Sequence, residues 1–191
     1  KLFAQMGIPA SRTAHARLFV NDEYVGLYLI VESIDRRFLA GHFPENDGYL
    51  YKYDWASEYF FEYKGPAATL YTPTPFLPET HEKDPDAAPL VTMIRTINET
   101  PADRFLDAVS PLVDVRAFVR QAAVENFLAD NDGLLGYAGM NNFYLYRSSS
   151  TRLSTFIPWD KSEAFKSGPF HPVVYNIDDI PDFLRNRLMA G

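Results

Sequence analysis

The sequence predicts an α+β fold: an antiparallel, β-rich N-terminal lobe, then a mainly helical lobe that ends in a β-hairpin. Three observations predict it. Residues 15–31 are two β-branched and aromatic runs around Asn21-Asp22-Glu23, the signature of an antiparallel hairpin. Apolar residues between 90 and 128 recur at helical spacing. Two further strand-like runs, 142–147 and 153–158, follow them in sequence.

In chain order, Gly26 inside the second strand of the first hairpin predicts a bulge or a close backbone approach. Ser33 is placed to cap a short helix that runs through Phe38 and Leu39. Residues 48–53 and 57–63 read as two more strands. Residues 64–89 are rich in Pro, Thr and acids, and read as an irregular excursion at the lobe boundary. A helix then starts near Asp86, with Leu90, Ile94 and Ile97 on one face. Pro101 suits the first position of a second, short helix. After Asp114 a longer helix buries Val115, Phe118, Val119, Ala122, Phe127 and Leu128, with Gly133 as its cap. The tail from Lys161 is broken by prolines, with a short helix near 181–189. The organisation expected is one domain over 1–191: a β-rich lobe at 1–64, a linker at 65–89 and a helical lobe at 90–191. Because the chain begins at Lys1 and in mid-pattern, it reads as a fragment truncated at both ends.

Composition narrows the function classes. Hydrophobic residues make up 47% of 191 positions and aromatics 15%, ample for a core. A net charge of −7 without a basic stripe argues against nucleic acid as a partner. It leaves room for a nucleotide, which needs only a local cationic pocket and a metal. With no cysteine, disulfides, thiolate metal sites and cysteine nucleophiles are excluded. No apolar run approaches the roughly 20 residues that span a bilayer. His15, His42, His81 and His171 form no HxxxH or HExxH pair, and neither GxGxxG nor GxxxxGK[ST] occurs.

The chemistry concentrates in the last third. Asp130-Asn131-Asp132 forms a loop, Asn141-Asn142 opens a strand, and Pro158-Trp159-Asp160 ends the next strand. Kinases use this order of parts: one Asp orients the acceptor hydroxyl, and an Asn and a second Asp hold Mg²⁺. A strand Lys steadies the phosphates, and Lys52 in Gly48-Tyr49-Leu50-Tyr51-Lys52 suits that task. Glu32 either pairs with Lys52 or complements the dipole of the helix that follows it. Each piece also has a plain structural reading: solvated acids at a helix end, a turn-capping Asp160, a solvent-facing Lys52. Asp132 with Asp160 leaves a two-carboxylate glycosidase pair open as well. The aromatics Tyr49, Tyr51, Tyr53, Trp55, Tyr59, Phe60 and Phe61 are either partner anchors or one buried face of a sheet.

Three ordered blocks carry a family resemblance. They are Gly7-Ile8-Pro9-Ala10-Ser11-Arg12 with Asn21-Asp22-Glu23-Tyr24-Val25-Gly26-Leu27-Tyr28; Glu32-Ser33-Ile34-Asp35 with Phe38-Leu39 and Gly48–Lys52; and Asn131-Asp132 with Asn142–Tyr146 and Pro158-Trp159-Asp160. Spanning residues 7–165, they resemble the CotH kinase family. The resemblance implies an atypical protein kinase-like fold that uses ATP with Mg²⁺ or Mn²⁺ to phosphorylate Ser on spore-coat, secreted or cell-surface proteins. It implies Asp132 as the catalytic residue, Asn142 and Asp160 as metal ligands, Lys52 and Glu32 at the phosphates, and Trp159 lining the nucleotide pocket. It also implies a spore-coat or extracellular location. Three departures stand out: Asn141 where the family commonly has His, Ser162 where it commonly has a second acid, and Asp130 where an Asn is common. The Ser162 departure keeps a second reading open, a catalytically degenerate kinase-like binding or assembly module acting as an adhesin or coat scaffold.

Overall fold

The computed structural model describes residues 1–55, 59–130, 132–135 and 140–165. It is an α+β protein with two antiparallel sheets. A short helix, α1 (Leu2–Gln5), precedes the hairpin of β1 (Thr13–Val20) and β2 (Glu23–Val31). Asn21 and Asp22 both take positive φ, 49° and 65°, as a two-residue hairpin turn requires. The expected irregularity at Gly26 is a bulge: the register slips between Leu18 and Phe19, which face Gly26 and Tyr24 and leave Val25 unpaired. Both faces of this hairpin are largely exposed, including Phe19, Tyr24, Leu27, Leu29 and Ile30.

Helix α2 (Arg36–His42) is capped by Asp35, not by Ser33. The Asp35 carboxylate accepts from the Arg37 and Phe38 amides at 2.7 and 3.1 Å, the N2 and N3 donors that a cap must satisfy. The chain then enters β3 (Tyr49–Tyr53), and after the irregular stretch it forms β4 (Phe76–Pro78). Residues 59–63 form no strand; Tyr59 and Phe61 turn inward as core side chains instead. Helices α3 (Ala88–Glu99), α4 (Phe105–Val109) and α5 (Val115–Phe127) follow, then β5 (Phe143–Arg147) and β6 (Ser154–Pro158). The helix expected near 181–189 lies outside the described residues.

The second sheet has the order β4-β3-β5-β6, antiparallel throughout. It runs across the expected lobe division: β3 comes from the first segment, β4 from the supposed linker, and β5 and β6 from the supposed helical lobe. The reason is apolar alternation on both faces of the strands, which a two-stranded hairpin cannot bury alone. On one face Leu50, Tyr144, Tyr146 and Ile157 pack against Phe38 and Leu39 of α2. On the other, Tyr51, Tyr53, Phe143, Leu145 and Phe156 meet Leu90, Ile94 and Ile97 of α3 and Phe118 of α5. The aromatics that suggested partner anchors are therefore mostly core, although Trp55 stays exposed.

Helix α5 departs from its expected stripe. Val119 and Phe127 are exposed, while Gln121 and Glu125 are buried beside Phe118 and Ala122. Its start is anchored at the sheet edge, where the Asp114 amide donates to the Ser154 carbonyl at 2.9 Å.

Phe156 sits where the sheet meets the helices, within ring contact of Phe143 at 5.5 Å and Phe118 at 5.7 Å. Phe156→Ala is expected to lower unfolding free energy by about 3–5 kcal/mol, measured by urea denaturation.

Candidate functional site

Helix α5 ends on Ala129, not on Gly133. Ala129 takes φ 49°; its amide donates to the Asn126 carbonyl at 3.0 Å and the Asp130 amide to the Glu125 carbonyl at 3.1 Å. This is a Schellman closure with alanine in the left-handed position, which glycine occupies without strain. Gly133 is needed for a different reason. A Cβ there would lie 2.6 Å from both Asp130 Oδ2 and Glu125 Oε2. A larger group at that position would force the loop or the two buried carboxylates to shift.

Those carboxylates share one cation. Lys161 Nζ lies 2.9 Å from Glu125 Oε1 and 2.8 Å from Asp130 Oδ2. Gln121 Nε2 donates to Glu125 Oε1 at 3.0 Å, and the Leu134 amide donates to Glu125 Oε2 at 2.9 Å. Burial pushes the Asp130 carboxyl up, against the attraction of Lys161. Burial pulls the Lys161 ammonium down, but Glu125 and Asp130 outweigh it and the net direction is up.

Above this cluster, Asp132 is fixed by backbone and side chain. Its amide donates to Asp130 Oδ1 at 3.3 Å. Asn141 Nδ2 donates to Asp132 Oδ1 at 2.9 Å, and Asn142 Nδ2 to Asp132 Oδ2 at 2.8 Å and to the Asp132 carbonyl at 2.9 Å. Asn142, just before β5, has φ 53°, a conformation Asn tolerates better than most residues. With its NH₂ committed to Asp132, its Oδ1 points away from that carboxylate. The Trp159 amide donates to the Asn142 carbonyl at 2.9 Å, which brings the turn bearing Asp160 alongside Asn142. Asp160 is exposed, at φ 35°, and its Oδ1 accepts from the Ser162 amide at 3.2 Å.

Lys52 lies between Leu77 of β4 and Tyr144 of β5. Strand alternation turns it to the α2 side of the sheet, the side of Tyr144. Trp159 meets Tyr144 edge-on at 5.8 Å between ring centroids. Glu79 completes this patch: burial raises its carboxyl and Lys52 opposes the shift. Burial, with Glu79 adding to it, pushes the Tyr144 phenol up to about 12.

Glu32 pairs with Arg12 rather than with Lys52. It follows β2 directly opposite Arg12, accepting the Arg12 guanidinium through both oxygens, with Nε at 3.0 Å. His42 Nε2 lies 3.5 Å away. The hairpin's own register supplies this partner, whereas Lys52 belongs to the other sheet. The Arg12 hydrogen bonds, working against burial, hold the Glu32 carboxyl at about 2.

Sequence reasoning passed over Glu125, Gln121 and Lys161. The signal was present: 118, 121, 122 and 125 repeat at i, i+3, i+4 and i+7, so two polar residues occupy core positions of α5. As donors for a hard cation, Asn142 and Asp160 are chemically suitable, since Mg²⁺ takes one or two carboxylates together with phosphate oxygens. Among the described residues no group of three His, Asp or Glu side chains forms a self-sufficient metal cage.

These features define an α+β protein in which a hydrogen-bonded loop carboxylate sits beside an oxygen-donor turn, over a buried ion cluster. The model of the CotH kinase protein family matches residues 1–171, and the chain belongs to that family. The inner spore coat protein H of Bacillus subtilis (strain 168) is 27% identical over 158 residues, covering 83% of this chain. The chain spans 42% of that relative's length.

Two outcomes test the geometry. Gly133→Ala is expected to cost about 1–3 kcal/mol by crowding Glu125 and Asp130, measured by denaturant unfolding. The Glu32 carboxyl sits near 2 when folded, against an ordinary value of 4.5, so its stabilisation is full above pH 4.5 and is lost as pH falls towards 2. The stability difference between wild type and Glu32→Gln should therefore shrink across that window in unfolding experiments run at stepped pH.

Proposed function

We propose that this chain carries the catalytic centre of an ATP-dependent protein kinase acting on Ser, with an atypical kinase-like fold. The observation that carries the reading is the clamp on Asp132: amides from Asn141 and Asn142 fix its carboxylate beside the turn that bears Asp160. In this reading Asp132 orients the acceptor Ser hydroxyl and accepts its proton as the Ser oxygen attacks the γ-phosphorus. The bond from that phosphorus to the ADP oxygen breaks, and ADP leaves. Asn142 and Asp160 would hold Mg²⁺ or Mn²⁺, which when bound neutralises charge on the phosphates. Lys52 steadies those phosphates from β3, and Trp159 walls the nucleotide site. Glu32, held by Arg12, would support the phosphate site. The relative's description as an inner spore coat protein supports coat or other surface proteins as acceptors, and a spore-coat or extracellular location. No helix among the described residues is long and apolar enough to cross a membrane.

A second reading is a degenerate kinase-like module for binding or assembly. Ser162 in place of an acid and the apolar, exposed β1–β2 hairpin favour it.

Incubating the full-length protein with labelled ATP and Mn²⁺ or Mg²⁺ separates the two. Labelling of Ser is expected, with a fall of about 10²–10⁴-fold in Asp132→Ala. Asp160→Ala should abolish metal-dependent nucleotide binding. A folded full-length protein that binds no metal–nucleotide would eliminate the kinase reading.

A further inference from the structure

We propose that Lys161 is a positioning residue that locks the Asp160 turn onto the Asp132 loop; this rests on the kinase reading above. Lys161 directly follows Asp160, yet its ammonium leaves that turn and reaches into the protein between Glu125 of α5 and Asp130 of the loop. Asp130 in turn accepts from the Asp132 amide, and Glu125 from the Leu134 amide. One cation thus gathers hydrogen bonds from both sides of Asp132 and ties them to the neighbour of Asp160.

Stability alone is a poor reason for this arrangement. Two buried carboxylates for one ammonium leave unbalanced negative charge, and well-packed apolar residues in such places are often as stable or more so. What the cluster does supply is register. The Asp160 turn also holds to the strand through the Trp159–Asn142 backbone contact and, farther on, to α5 through the Phe165 amide on the Leu128 carbonyl, but neither reaches the Asp132 loop, and Asp160 itself sits at a strained positive φ. Gly133 keeps the loop low enough for the three-way contact to close.

The test compares wild type, K161M and the triple variant E125Q/D130N/K161M in the full-length protein. The triple variant removes the ammonium and both charges but retains oxygen acceptors for the Asp132 and Leu134 amides. Affinity for a non-hydrolysable ATP analogue with Mn²⁺ is read by calorimetry, beside the thermal midpoint. K161M is expected to weaken binding by about tenfold or more, as loss of a residue that orients a ligand does. The triple variant should recover the wild-type thermal midpoint and keep the loss of affinity. Wild-type affinity in the triple variant overturns the proposal, because charge balance is then all that Lys161 provides. If wild type itself binds no metal–nucleotide, the kinase reading fails, and hydrogen exchange decides the positioning role. Faster exchange of the Ser162 amide in the triple variant supports it, and unchanged exchange overturns it.

Discussion

The pairing of β3 with β5 is the contact on which the rest of the molecule depends. Leu50 faces Tyr146 and Lys52 faces Tyr144 across nearly a hundred residues of chain. Closing so long a loop costs entropy, though the cost rises only slowly with length. Burying both faces of the strands offsets it, at about 25 cal/mol for each Å² of apolar surface removed from water. Gly48 shows how close the approach is: a Cβ there would lie 2.3 Å from the Arg147 carbonyl oxygen and 2.8 Å from the Tyr146 hydroxyl. From this pairing come two cores, one under α2 and one under α3 and α5, and the alignment of Lys52 with the strand that follows Asn142.

Around the candidate site the backbone is held in conformations it would not adopt freely. Ala129, Asn142 and Asp160 all have positive φ, and they lie at the end of α5, before β5 and after β6. Such residues cost of order 1–3 kcal/mol each and persist where their surroundings over-determine them. Here the surroundings are known: the Schellman closure holds Ala129, the Asp132 contacts hold Asn142, and the Ser162 amide sits on Asp160. The buried Lys161–Glu125–Asp130 cluster lies beneath the first and last of these.

Local chemistry made much of the fold legible. The Asn21-Asp22 turn, the irregularity at Gly26, the Leu90–Ile94–Ile97 face and the last two strands all follow from short-range pattern. That one sheet would draw strands from both sides of residues 65–89 was not legible, because pairing of β3 with strands far along the chain is a property of apolar faces and leaves no local mark. Similarly, the Ser33 cap lost to Asp35, two residues on, whose carboxylate reaches both open amides. The sequence showed Asp132 and Asn142 only as an order of residue types; the fold brings them into hydrogen-bond contact. The partner of Glu32 was not legible, since Arg12 reaches it through hairpin register rather than sequence proximity. Gln121 and Glu125 were hidden by the habit of reading only apolar residues as core.

The three cations near this chemistry are not interchangeable, and their commitments decide which of them is left for a phosphate. Arg12 is occupied by Glu32 at the end of the hairpin. Lys161 bridges two buried carboxylates, and withdrawing it would strand them, a change of about 3–5 kcal/mol when a buried pair is broken. Lys52 is half-buried on the α2 side of the sheet, where its neighbour Glu79 is a carboxylate that burial already draws away from its ionised form. On the kinase reading, Lys52 is the cation of the three that would meet the phosphates. At the Asp160 turn, Ser162 stands where the family commonly places a carboxylate, and only its backbone amide, which an acid there would also supply, donates to Asp160. Under the kinase reading, the site would keep Lys52 for the phosphates and its oriented Asp132, while presenting Asp160 without the second acid that the family commonly has at position 162. On that reading the exchange would weaken metal affinity rather than disturb the orientation of Asp132.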